Sequence, residues 1–187
     1  MKYLITGLGN PGAEYENTRH NIGWLVLDAM AEEAKATFKS ERYGFVTKVR
    51  HRGKILVLLK PTTFMNLSGK AVKYWLTKEN IPIENSLTIS DDIDLDSGVL
   101  RMKAKGSGGT HNGLNNIVEV LGTTEFPRLR FGIGHDFPQG YQIDYVLGKF
   151  TAQEKKEYQP RIEQAINIVK SFAFTGVNRT MSDYNNK

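Results

Sequence analysis

The chain has 187 residues, 40% of them hydrophobic and 24% charged, which suffices for one compact domain with a sizeable core. It has no cysteine, which excludes disulfides, thiolate metal sites and a cysteine nucleophile. The net charge of +5 suits plain solubility or a polyanionic partner such as nucleic acid.

Tyr3–Thr6 is a short apolar run ending at Gly7 and predicts a buried strand. From about Asn21 to Ala36 the apolar residues Ile22, Leu25, Val26, Ala29 and Met30 follow helical spacing. Phe45–Arg50 and Lys54–Leu59 predict a hairpin across His51-Arg52-Gly53, after which Pro61 breaks the chain. Leu67, Ala71, Val72, Trp75 and Leu76 predict a second helix, with Asn66 where an N-cap belongs. Leu87–Ser90 and Val99–Lys103 read as strands, Gly106–Gly109 as a glycine-rich loop, Asn112–Leu121 as a helix and Leu129–Ile133 as a strand. Thr151 with Glu154 forms a capping-box signature opening an element that reaches about Phe174. Pro160 must kink that element or start another helix. The polar tail, 177–187, is expected to fray. Strands alternating with helices, without a linker or repeat, imply a single α/β domain over 1–187. Its mixed, mostly parallel central sheet is flanked by helices. The N-terminus carries too short an apolar run for a signal peptide and nothing later approaches a membrane span, so the cytoplasm is the expected location.

The densest stretch is Leu8–Gly23, LGNPGAEYENTRHNIG. Gly7-Leu8-Gly9-Asn10-Pro11-Gly12 matches the dinucleotide fingerprint in letters alone. That fingerprint needs a helix starting within the glycine turn, and here Pro11 and Gly12 break the chain again while the helical pattern waits until Asn21. A nicotinamide- or flavin-dependent oxidoreductase is therefore disfavoured. His20 stands at a helix start, where the positive end of the dipole disfavours protonation; a neutral imidazole there suits a general base. Such a base needs an orienting carboxylate. Asp91, the first residue past the apolar run Leu87–Ser90, is the best candidate. The alternation Asp92-x-Asp94-x-Asp96 fails as a calcium loop, because Ser97 and Lys103 stand where glycine and glutamate belong. Gly106–Gly113 lacks the lysine of a phosphate loop and is no nucleophile elbow around Ser107. The four histidines are far apart in sequence, which argues against a catalytic metal. Asn10, Asn66 and Asn112 each lie where a loop meets a structured element. Capping explains such residues, yet an amide also suits holding a peptide or a developing oxyanion.

Together these segments resemble the bacterial peptidyl-tRNA hydrolase family over almost the whole chain. The resemblance is carried by LGNPGAEYENTRHNIG at 8–23, KPTTFMNLSG at 60–69, SDDIDL at 90–95, GSGGTHNGL at 106–114 and RLRFGIG at 128–134. It implies hydrolysis of the ester between a peptide and the 3′ ribose of tRNA, by a monomer, without cofactor or metal. It implies that His20 activates water, that Asp91 orients it, and that Asn10, Asn66 and Asn112 line the site, Asn66 and Asn112 contacting the peptide. Tyr15, Met65 and His111 fall in the same shell. Lys103 and Arg130 match a clamp on the tRNA 5′ phosphate. Ser90, Ser107 and Thr110 depart from the residues frequent in relatives, with an expected effect on loop mobility rather than on activity. A non-catalytic RNA-binding domain is the alternative reading; it would leave His20 and Asp91 without a task.

Overall fold

A computed structural model describes residues 1–186. Its seven-stranded sheet is made of β1 (Lys2–Gly7), β2 (Lys39–Glu41), β3 (Gly44–His51), β4 (Lys54–Pro61), β5 (Ser86–Asp92), β6 (Leu100–Lys103) and β7 (Arg128–Gly132). The spatial order is β2-β3-β4-β1-β5-β7-β6. The four central strands, β4, β1, β5 and β7, run parallel, and the outer pairings are antiparallel. Central strands are buried almost throughout, as both faces are covered. One face packs on α1 (Ile22–Glu33) and α5 (Ala152–Thr175), through residues such as Ile5, Leu87 and Phe131. The other packs on α2 (Ser68–Lys78) and α3 (Asn112–Leu121), through Leu4, Val57 and Leu59. Short α4 (Gln142–Val146) and α6 (Val177–Tyr184) complete the domain.

Most expected elements stand where the pattern places them. The hairpin turns on Arg52 and Gly53, both at positive φ, as a two-residue turn requires. Helix α1 is shorter than its periodicity because Lys35 adopts the left-handed conformation and ends it. Thr151 and Glu154 close a reciprocal capping box, and α5 runs as one helix through Pro160. Strand β2 is missed because its three exposed residues, Lys39, Ser40 and Glu41, carry no apolar alternation.

The tail is a correction. Residues 177–184 are not frayed but form α6, with Thr180 buried. Beyond it, the Asn185 amide accepts from Met102 N at 2.8 Å and donates to Met102 O at 2.9 Å. A polar side chain thus replaces a neighbouring strand on β6, and polarity alone gave no sign of it. Asn185→Ala is expected to lower unfolding free energy by about 1–3 kcal/mol, two neutral hydrogen bonds' worth. An unchanged urea midpoint would contradict that assignment.

The opening glycines place the site. A Cβ on Gly7 would sit 2.3 Å from Gly23 O, and one on Gly23 would sit 2.6 Å from Leu8 N and 2.8 Å from Ile89 O. The start of α1 therefore lies directly against β1 and β5, which brings His20 over the end of β5. Of the fingerprint's three glycines only Gly12, at φ 114°, uses left-handed space; the others are close-packing residues.

Candidate active site

Several of the expected residues lie at the carboxyl ends of parallel strands, where open α/β sheets keep their sites, while His111 and Asn112 follow the antiparallel β6. Asn10 follows β1, Met65 and Asn66 follow β4, and Asp91 is the penultimate residue of β5. His20 lies in a single 3-10 turn, Arg19–Asn21, just ahead of α1. Arg19 anchors that turn: its guanidinium donates to both Glu154 carboxylate oxygens, at 2.8 and 3.0 Å, and to Tyr145 O.

Asp91 is buried and bridges two histidines. His20 Nδ1 lies 2.8 Å from Oδ2, and His111 Nε2 lies 2.8 Å from Oδ1. The tautomers follow from the other contacts. His111 Nδ1 accepts from Gly113 N and Leu114 N, capping α3, so the His111 proton sits on Nε2 and is donated to Asp91. A neutral His20 then donates Nδ1–H to the carboxylate and keeps its lone pair on Nε2. His20 lines a cavity of about 290 Å³ with Asp91, Lys103, His111, Asn112 and Arg130.

The electrostatics correct the expectation for His20. Burial pushes its pKa down, but the Asp91 charge and hydrogen bond outweigh that and hold it above its ordinary value. The helix dipole, invoked from sequence to keep it neutral, is not the governing influence. Asp91 moves oppositely: burial alone would raise it, yet the two histidines hold it well below the usual carboxylate range.

Histidines distant in sequence are neighbours in space. Donor atoms of His20, Asp91 and His111 lie within 4.8 Å of one another, close enough to suggest a cation. The hydrogen bonds argue otherwise. Freeing His111 Nε2 for a metal would move its proton to Nδ1, against two backbone N–H groups. The trio is built to hold protons.

Asn10 is buried, and its Oδ1 accepts from Met65 N at 2.6 Å. That bond ties the loop after β1 to the loop after β4. It also secures Phe64, whose φ of 63° and ψ of 155° belong to a region occupied almost only by glycine. Asn10 is itself held at its backbone N and O by the buried Asn21 amide. Asn21 thereby forgoes capping α1, and sequence offered no sign of this latch.

Asn66 and Asn112 are not caps. The α2 N-cap is Leu67 and the α3 N-cap is His111. Both asparagine side chains are exposed, and none of the described residues hydrogen-bonds them. Tyr15 is half-buried in the turn Ala13–Tyr15 and is not among the residues that line the cavity. Met65 is buried, with its sulfur close over Gly113.

Lys103 and Arg130 lie on β6 and β7 at the cavity's other margin. Lys103 is exposed, and among the described residues no acid pairs with it. Arg130 donates to Asp92 Oδ2 at 3.1 Å. Among the described residues the fully buried Arg128 has no carboxylate partner; burial and the nearby Arg130 lower its pKa to about 10. It donates to the carbonyls of Ser107, Thr124 and Phe126, pinning the glycine-rich loop. Its place in a basic group disguised this internal role.

Residues 4–187 match the family model described as peptidyl-tRNA hydrolase. The chain belongs to the peptidyl-tRNA hydrolase family. Curated relatives of that name from Phocaeicola vulgatus and Bacteroides fragilis are 55% and 56% identical over 187 residues, the full length of both chains. The crystal structure of peptidyl-tRNA hydrolase from Acinetobacter baumannii superposes with a TM-score of 0.91 at 36% identity, covering 98% of this chain and 94% of that one.

Proposed function

We propose that this chain hydrolyses the ester between peptide and tRNA in peptidyl-tRNA, using a water activated by His20. Family membership supports the reaction, and the His20–Asp91–His111 arrangement carries the assignment of roles. His20 Nε2 accepts the proton of water as the oxygen attacks the ester carbonyl, and Asp91 stabilises the imidazolium that forms. His111 positions Asp91; with both ring nitrogens engaged, it is not a substrate contact. The Asn10 Oδ1 is spent on Met65, so its remaining amide hydrogens are the part available to a developing oxyanion. Asn66 and Asn112 offer unpaired amides to the peptide. Such amides reject an aminoacyl ester lacking a peptide bond, because they stay unsatisfied without one. Met65 and Tyr15 support these loops rather than touch the reacting atoms.

Lys103 and Arg130 bind the tRNA 5′ phosphate, Asp92 holding Arg130 in place. No described helix is long and apolar enough to cross a membrane, which is compatible with work on tRNA in the cytoplasm. Every proposed residue comes from one chain, so a monomer suffices.

The deciding experiment is hydrolysis of N-acetyl-aminoacyl-tRNA by the purified protein with EDTA present. Full activity is expected, and loss restored by a divalent cation would contradict the proton-holding reading. In the same assay Lys103→Ala is expected to raise KM about three- to tenfold on tRNA, as loss of one phosphate contact would. It should leave short ester substrates unaffected; equal losses on both would remove Lys103 from the clamp. The pH profile has a definite sign. The base works unprotonated, and Asp91 holds its pKa above the ordinary 6.5. Hydrolysis should therefore rise with pH through a midpoint above 6.5, and a midpoint below it would contradict the Asp91 pairing.

A further inference from the structure

Helix α2 carries a surface that the proposed chemistry does not use. Lys70, Lys73, Tyr74, Thr77 and Lys78 recur at spacings of three and four, so they share the outward face. The four apart from Tyr74 are exposed, and α2 contains no acid. Beside it, the turn between β2 and β3 adds Arg42 and Tyr43. The Arg42 guanidinium stands 5.1 Å from the Tyr43 ring and 5.4 Å from the Tyr74 ring. Lys70 stands 5.1 Å from Tyr43, and the two tyrosine rings meet edge to face at 5.5 Å. Among the described residues Arg42, Lys70, Lys73 and Lys78 have no ion-pair partner. Glu79 is taken by Lys2 and Lys48, which leaves Glu41 as the acid adjoining the turn.

Position decides what such a face meets. In the sheet, Lys103 and Arg130 lie on β6 and β7, on one side of β5 and Asp91. Asn66 and the Arg42–Tyr43 turn follow β4 and β2, on the other side. Tyr43 O accepts from Thr62 N at 2.9 Å, which fastens the turn to the segment leading to Asn66. Lys70 comes four residues after Asn66, about one helical turn. With the tRNA on the β7–β6 side, the peptide leaves past Asn66 onto α2. Lys70 to Lys78 spans about 12 Å, roughly four residues of extended chain.

We propose that the Arg42, Lys70 and Lys73 face of α2 seats the upstream part of longer peptides and favours acidic ones. This rests on the reading of Asn66 as a peptide contact. Two or three exposed cations confer a preference rather than a requirement, and the partly screened tyrosine rings tolerate varied side chains. The preference applies only to peptides long enough to pass Asn66.

The test compares two hexapeptidyl-tRNAs, identical but for three aspartates or three lysines at the residues farthest from the ester. Wild type is expected to cleave the acidic one with a kcat/KM roughly three- to tenfold higher at low salt, as one or two exposed ion pairs would give. The advantage should shrink in 0.5 M KCl, where screening is strong. The triple variant Arg42→Glu, Lys70→Glu, Lys73→Glu should invert the ratio while cleaving N-acetyl-aminoacyl-tRNA as wild type does. If that variant folds poorly, Lys70→Gln with Lys73→Gln should flatten the ratio. A wild-type ratio of one overturns the proposal, as does a ratio that the substitutions leave unchanged. Equal losses on short and long substrates would assign the face to tRNA instead, and also overturn it. Asn66→Ala on N-acetyl-aminoacyl-tRNA reports separately: an unchanged KM there removes Asn66 as the peptide contact, whatever the charge ratio.

Discussion

His20→Ala is expected to lower kcat on N-acetyl-aminoacyl-tRNA by about a thousandfold or more, within the range for losing a positioned general base. The loss should fall on kcat, because in the proposed mechanism the imidazole meets the attacking water while Lys103, Arg130 and the asparagines hold the substrate. Affinity for tRNA should stay within about twofold of wild type, since no phosphate contact is removed. The fold should survive as well: His20 sits in a turn whose anchor is Arg19, bonded to Glu154 and Tyr145. Single-turnover kinetics with a filter-binding titration separates the two quantities. Retention of a tenth of wild-type kcat would remove His20 as the base.

Asp91→Asn is expected to have a comparable effect, for a reason legible in the tautomers. His111 Nδ1 must remain an acceptor for Gly113 N and Leu114 N, so His111 Nε2 must remain a donor. An asparagine would have to turn its oxygen toward His111 and its NH2 toward His20. His20 Nδ1 would then accept, and its proton would move to Nε2, the nitrogen that must take a proton from water. The base becomes a donor at the wrong place, a change that costs about ten-thousandfold in an analogous catalytic histidine. A fall of about 10³–10⁴ in kcat is expected, with the residual activity losing its midpoint above 6.5. Nitrogen chemical shifts of His20 would report the switched tautomer. A variant with high activity and unswitched His20 would refute the argument. The carboxylate also favours folding. Its pKa is depressed in the folded state, so its contribution is present above the usual carboxylate pKa of 3.8 and fades as pH falls below it.

The sequence made the strands and helices readable wherever burial imposes a period. Tyr3–Thr6, Leu87–Ser90 and the apolar stripe of α2 are such cases. It failed where a polar side chain does the work of backbone. Asn185 pairs with Met102, Asn21 latches Asn10, and His111 caps α3, though Asn112 looked like the cap. No local pattern encodes these contacts, because each joins residues far apart or depends on which of two neighbours turns inward. The pairing of His20 with Asp91 was legible because their position, beside a glycine-rich turn and at a strand end, carried the information. The contact of His111 with Asp91 was not, since it depends on both ring nitrogens being occupied at once. Arg128 and Arg130 are two residues apart in one strand, yet Arg128 is buried and donates to loop carbonyls while Arg130 pairs with Asp92; charge grouping cannot separate them.

The Asn185 amide on β6 has one further consequence. A peptide cut from tRNA is an unfolded chain with unpaired N–H and C=O groups, and a bare strand edge would recruit it by adding it as another strand. One margin of this sheet is the three-residue β2, exposed and charged at Lys39 and Glu41; the other, β6, is already occupied at Met102. Among the described residues the sheet margins therefore offer a product peptide no long template to pair with.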